Sequence, residues 1–249
     1  MSTLTVLLVG LLVLVGYFQN AVTGFGGTVL SLPFVAMLVD LKVAVPALVV
    51  QAWVAGLMVS VEARRHILWR EYLKLTVLML AGLPVGIWLM ALMPERPLKG
   101  FLGVFCLLVA VYGLYRPVPR PSAEGGALKR ALLTALLPLA GIVHGAFATG
   151  GPLAVVYAAR AIPDKSLFRV TLSLLWLTLN SIMVLQFALA GRYSGDTLTL
   201  SLACLPFTIL GFWAGTAAHY RLNEVLFRRI VYAILILAGA GLLASVFRR

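Results

Sequence analysis

The sequence predicts an all-α fold: a polytopic integral membrane helical bundle of two inverted repeats, each with a broken or hairpin helix pair plus three transmembrane helices. Three observations carry that expectation. Apolar residues make up 62% of the 249-residue chain and charged residues 11%, with a mean hydropathy of +1.04, which leaves too little polar surface to cover a soluble globule. The apolar stretches fall into five segments and then five again. Two glycine-rich breaks, Gly24-Phe25-Gly26-Gly27-Thr28 and Ala148-Thr149-Gly150-Gly151-Pro152, sit at equivalent points, each after a long segment and before a short one.

The first segment, residues 4–23, lacks a basic n-region and runs into a glycine break instead of an Ala-x-Ala-like site, so no cleaved signal peptide is expected. Residues 28–39 follow. A dozen residues at ~1.5 Å each reach roughly 18 Å against a hydrocarbon core of ~30 Å, so this segment must pair with its predecessor. Segments 43–62, 72–93 and 98–115 are long enough to span. Residues 116–129 include the only polar, proline-rich stretch and read as a linker. It divides the membrane domain into a first repeat, 1–115, and a second, 130–249. There, 130–148 and the short 152–162 repeat the pair, and 167–190, 197–218 and 230–247 repeat the spans.

The duplication is legible at single residues. Gly26-Gly27 falls on Gly150-Gly151 and Asp40 on Asp164, both at an offset of 124; Gly86-Ile87-Trp88 falls on Gly211-Phe212-Trp213 at 125, and Gly113-Leu114 on Gly241-Leu242 at 128. Charge gives its sense. If each long-plus-short pair is a hairpin, every half crosses an odd number of times and the halves are inverted. The face carrying Arg64, Arg65, Arg70 and Lys74 then holds 14 of the Lys and Arg residues and the opposite face 6; single crossings would give 11 and 9. The positive-inside rule favours inversion, with the linker cytoplasmic and both termini outside.

The net charge of +12 would suggest nucleic acid in a soluble protein, but these cations cap apolar runs and read as topology and headgroup anchors in the lipid bilayer; no nucleic-acid partner is expected. Cys106 and Cys204 have no metal or redox spacing and read as packing residues. All eight acidic residues lie at segment ends or in loops, so no carboxylate remains inside the membrane to bind a cation or relay protons. Neither a cofactor nor a metal is expected.

In an inverted pair the two short helices point their N-termini at one cavity near the midplane. Unpaired N–H groups and the positive end of the helix dipole favour an anion there, and glycine lets it approach the backbone. Pro152 suits a first helical position. The substrate-binding candidates are therefore Gly24, Gly26, Gly27 and Thr28 at the first break, and Thr149, Gly150, Gly151 and Pro152 at the second. His144 lies one turn before the second break, and Asn20 is its repeat counterpart; an imidazole there could donate to an anion or couple transport to protons. Gln51 and Asn180, mid-segment in the third span of each half, complete the set.

At these residues the chain resembles the sulfite exporter TauE/SafE family of membrane transporters. The likeness rests on Gly24-Phe25-Gly26-Gly27 followed by Pro33, on Ala148-Thr149-Gly150-Gly151-Pro152, and on Gly86-Ile87-Trp88 and Gly211-Phe212-Trp213. It covers nearly the whole chain. The resemblance implies transport of small sulfur-containing anions (sulfite, thiosulfate or organosulfonates) across the cytoplasmic membrane of a prokaryote, and the twin breaks suggest alternating access, one half rocking against the other around them. The second break departs from the first, with Ala-Thr in place of Gly-Phe. Two other readings stay open from the residues alone: an intramembrane enzyme centred on His144, and a non-transporting membrane assembly subunit.

Overall fold

The computed structural model describes residues 1–23, 26–62, 67–115, 127–162, 164–218 and 224–247, and these are helical, with no strand. The first half contains α1 (Thr3–Thr23), the short α2 (Gly27–Leu38), α3 (Leu41–Glu62), α4 (Trp69–Leu92) and α5 (Glu95–Tyr115). The second contains α6 (Ala127–Phe147), the short α7 (Gly151–Ala161), α8 (Lys165–Leu189), α9 (Gly195–Ala203), α10 (Leu205–Ala218) and α11 (Glu224–Phe247). Each expected segment is present. The first turn of α6 takes up the last residues of the expected linker; residues 116–126 lie outside the described residues.

The segment expected at 197–218 divides into two helices at Cys204. Pro206 has no N–H to give Leu202, and the ladder resumes with Thr208 N–H bonding to Cys204 O at 3.0 Å. The two pieces still form one apolar stretch of 24 residues, and it is one of seven helical stretches among the described residues long and apolar enough to cross a membrane.

Glycine sets how these helices meet. On α4, a Cβ at Gly82 would strike Pro138 O of α6, and one at Gly86 would strike Ile142 O; on α6, Gly141 and Gly145 press in turn on Met79 O and Leu83 O. Both helices carry a Gly-x-x-x-Gly spacing, and without side chains the two backbones touch. Gly211 and Gly215 of α10 make the same approach to Leu14 O and Phe18 O of α1, while Phe207 of α10 lies over Gly10. In each pair the contacts advance in the same direction along both chains, so α4 runs parallel to α6 and α10 parallel to α1.

The hairpin expected at the first break is present. Gly27 lies against Tyr17 and Asn20, Ser31 against Gly16, and Ser31 Oγ donates to Leu12 O at 3.0 Å, so α2 runs back along α1. At the second break Gly150 returns onto Ala140 and His144. By contrast, equivalent helices of the two halves cross antiparallel. Trp53 Nε1 donates to Ser181 Oγ at 2.9 Å while Gly56 meets Leu177, and Gly103 meets Leu243 while Gly113 meets Tyr232.

These contacts sort the chain ends. The N-terminal ammonium pairs with Asp196 at 2.9 Å and Arg96 Nε donates to Val246 O at 2.8 Å, gathering both terminal helices at one end of the bundle, the terminal face. The opposite end, the linker face, joins Leu68 N–H to Thr171 Oγ1 at 3.2 Å and Tyr157 OH to Glu71 at 2.8 Å. The described acidic residues stand at helix ends or in turns, as expected, and both cysteines are buried and free.

The glycine contacts give a direct stability test. Gly82→Ala places a methyl against the α6 backbone and is expected to destabilise the bundle by about 1–3 kcal/mol, as overpacked cores do. A Cβ at Gly100 meets nothing within 4 Å, and Gly100→Ala should be neutral or stabilising by up to about 1 kcal/mol. Thermal unfolding in detergent micelles reads both; equal behaviour of the two variants contradicts the packing account.

Candidate functional site

The two breaks open onto one cavity of about 50 Å³. Its wall takes Tyr17 and Asn20 from the end of α1, Gly26, Gly27 and Thr28 from the first break, and His144, Ala148 and Gly151 from the second. Between them stand the middle of α3 and the middle of α8. The α3 face is small and mostly apolar, with Ala52, Ala55, Gly56 and Val59; the α8 face carries Ser173, Trp176 and Asn180.

Both short helices begin at this cavity without a side-chain cap. Gly26, the N-cap of α2, is left-handed at φ 91, a conformation that glycine takes freely. Gly150, the N-cap of α7, is right-handed at φ −66. Neither supplies an acceptor, so the first-turn N–H groups of Gly27, Thr28, Val29, Gly151 and Leu153 keep their donor capacity. Pro152 has no N–H to satisfy and starts α7 at no cost in hydrogen bonding.

Around the second break, buried polar atoms lack protein partners. Both ring nitrogens of His144, Thr149 Oγ1, Trp176 Nε1 and Asn180 Oδ1 lack a protein partner at full hydrogen-bond geometry, with His144 and Asn180 near enough to interact with each other; His144, Thr149 and Asn180 are each no more than 2% exposed. A buried polar group left dry costs about 1–3 kcal/mol, so this cluster calls for a polar ligand. The imidazole is stacked on the Trp176 indole, with centroids 5.4 Å apart and planes at 28°, so the two rings restrain each other. The first break is quieter. Tyr17 OH donates to Leu48 O at 3.3 Å and lies 3.4 Å from Thr28 Oγ1.

The sequence candidates divide accordingly. Asn20, Gly26, Gly27, Thr28, His144, Gly151 and Asn180 come together in the cavity wall. Thr149 is buried beside it, and Gly150 lies close against α6, where a Cβ would overlap Ala140 O. Gly24 lies outside the described residues. Gln51 is held elsewhere: its Nε2 donates to Ser201 O at 2.7 Å and to Ala47 O at 3.3 Å, and its Oε1 accepts from Thr208 at 2.8 Å. It ties α3 to α9 and α10.

Sequence reasoning missed Tyr17, Ser173, the small α3 face and the backbone of Ala148. A helical signal was available for part of this, because Ser173, Trp176 and Asn180 are spaced three and four apart and share a face of α8. Ala148 is different. Its φ of 55 makes it the only non-glycine residue with a positive φ among the described residues, and nothing in an apolar sequence marks such a position. It ends α6, its N–H bonding to His144 O at 2.6 Å, where glycine is the usual residue. The repeat counterpart is Gly24.

A helical membrane bundle that turns two uncapped helix ends and a group of unpartnered polar side chains onto one internal cavity belongs to the class of membrane transporters of small solutes. Comparison with known proteins agrees. The chain matches the family described as Sulfite exporter TauE/SafE over residues 7–242 and belongs to that family. It is 24% identical, over 185 residues covering 74% of this chain and 76% of the relative, to the probable inner membrane transporter protein TsaS of Comamonas testosteroni. No solved structure matches.

The left-handed Ala148 is testable without knowing the substrate. Relief of the Cβ clash, worth roughly 1–2 kcal/mol, outweighs the added chain entropy of glycine, so Ala148→Gly should stabilise by about 0.5–1 kcal/mol. Ala148→Val should destabilise, because a β-branched residue tolerates that backbone least. Unfolding midpoints in detergent decide it: a loss of stability in the glycine variant refutes the reading.

Proposed function

We propose that this chain carries small sulfur oxyanions (sulfite, thiosulfate or small organosulfonates) across the inner membrane by alternating access at the cavity between its two breaks. The observation that carries this reading is the set of unpartnered groups on His144, Thr149, Trp176 and Asn180, standing where two uncapped helix starts meet. Most of what they and the helix ends offer an oxyanion is donors: an indole N–H, an imidazole N–H, a hydroxyl and backbone N–H groups; Asn180 presents its unpartnered Oδ1, an acceptor, and donates to an anion only with its amide turned over. Each helix end contributes up to ~2 kcal/mol when partly buried, and each charge-assisted hydrogen bond about 1.5–3 kcal/mol. A handful offsets much of an anion's dehydration without trapping it.

Size narrows the cargo. At about 10–15 Å³ for each water-sized group, the cavity takes roughly three to five, which suits sulfite and requires further opening for a longer sulfonate. The antiparallel crossings of α3 on α8 and of α5 on α11 support the inverted repeat, since parallel repeats would make those pairs run the same way. Inversion puts the two short helices on opposite sides of the midplane, and the uneven distribution of Lys and Arg argues for a cytoplasmic linker face.

The moving bodies in this reading are not the sequence halves. Helices α4, α6 and α7 pack together, as do α1, α2, α3, α9 and α10, with α8 between the two sets, more closely on α3 than on α4, so that α8 forms the seam. The cavity lies along that seam. Rocking there exposes it first to one face and then to the other while leaving the glycine contacts of α4 on α6 and of α10 on α1 intact.

Counterflow of labelled sulfite into sulfite-loaded proteoliposomes tests the assignment. Flux that sulfite, thiosulfate and short sulfonates compete for is expected, and loss of one donor in His144→Ala or Trp176→Phe should lower Vmax/KM roughly 10- to 100-fold. Absence of counterflow with every sulfur anion tried rejects it. Topology has its own test: reporters fused at residue 120 and at the C-terminus should report opposite compartments, the linker inside, and a cytoplasmic C-terminus contradicts the orientation.

A further inference from the structure

Arg169 stands apart from the other cations of the linker face. It lies in the first turn of the apolar stretch Leu167–Leu189, and one guanidinium nitrogen, Nη2, is buried without a hydrogen-bond partner. Lipid-facing arginines extend toward the headgroups and keep their nitrogens wet. This one is covered by protein. Among the described side chains no carboxylate pairs with it: Glu71 accepts from Tyr157 OH, Asp164 accepts the Leu167 N–H at 2.8 Å, and the ion pairs lie at the terminal face.

Its position along α8 gives the unpaired charge a direction. Arg169, Ser173, Trp176 and Asn180 are spaced four, three and four apart, so they form one stripe along a single helix face. Three of the four line the cavity. Arg169 is one turn, about 6 Å, nearer the linker face, and Ser173 Oγ donates back to its carbonyl at 2.7 Å, joining the two turns.

From this stripe we infer a second oxyanion station at the linker-face mouth of the cavity, with the Arg169 guanidinium as its cation. The inference rests on the anion reading above and names the side chain that gathers the anion between the linker face and the inner site. A guanidinium presents paired N–H donors that match two oxygens of one oxyanion. A fixed positive charge at a low-dielectric mouth raises the local anion concentration, and salt screens that effect.

The test measures Vmax/KM for sulfite flux in proteoliposomes at low and high ionic strength. At low salt Arg169→Gln should lower Vmax/KM roughly tenfold, the lower end for charged clefts, with Vmax at saturating sulfite little changed. The deficit should shrink as salt rises. Arg169→Lys should recover most of the rate, and Arg192→Gln, which removes an exposed charge at the terminal face, should keep the wild-type salt dependence. A shared chemistry with lipid phosphate is separated by repeating the series in vesicles with and without phosphatidylglycerol. An unchanged Vmax/KM, a loss equal at all salt concentrations, or an effect confined to stability in the anionic lipid overturns the station. Wild-type protein that carries no sulfite overturns the transport reading with it, whereas wild-type flux with an unaffected Arg169→Gln overturns this inference alone.

Discussion

Two helices that begin inside apolar surroundings without caps are the constraint on which this bundle depends. Backbone N–H groups have no water partner in hydrocarbon, so a chain interrupted there must be enclosed by other protein or face a polar cavity. Both solutions are used together. The breaks fold back along α1 and α6, and the middles of α3 and α8 close the remaining side. The surrounding side chains then leave donors available instead of consuming them, a requirement for any site that must hold and release a hydrated ion.

Enclosure explains where glycine was placed. Each hairpin leans on the fourth span of the other half, α4 on α6 and α10 on α1, at distances only a missing Cβ permits. Lipid tails are as apolar as leucine, so helices in a bilayer gain little from hydrophobic burial against one another and rely on close packing. That exchange of partners between halves divides the molecule along α3 and α8, across the sequence boundary at the linker. The two sets of segments lie in tandem along the sequence, while the packed sets each draw on both.

Much of this was legible in the sequence, for physical reasons that differ by element. The spans and the two short helices follow from length against bilayer thickness, and the hairpins follow from having too few residues to cross. The split at Cys204 was not anticipated, because Pro206 sits inside an uninterrupted apolar run and breaks one ladder bond without ending the stretch. Of the polar residues in mid-span, His144 and Asn180 were separated from Gln51 only by their partners. A buried amide is equally suited to line a cavity or to tie helices, and Gln51 does the second because Ser201 and Thr208 stand opposite it. Ala148 carries its information in a dihedral angle, which composition does not encode.

The two halves have diverged in what they bring to the seam. On the facing middle helices, the second brings Ser173, Trp176 and Asn180 beside His144, whereas the first brings Ala52, Ala55, Gly56 and Val59, which provide room, and keeps its polar groups, Tyr17, Asn20 and Thr28, at its break. Asn20 faces the same cavity where the repeat sets His144, so one break is bordered by an amide that cannot change its charge and the other by a ring that can. Two identical polar halves would compete for one small anion and crowd a cavity of this size. In the transport reading proposed above, α8 is the chemical helix and α3 the spacer, and rocking one against the other would change access while His144, Trp176 and Asn180 stay together.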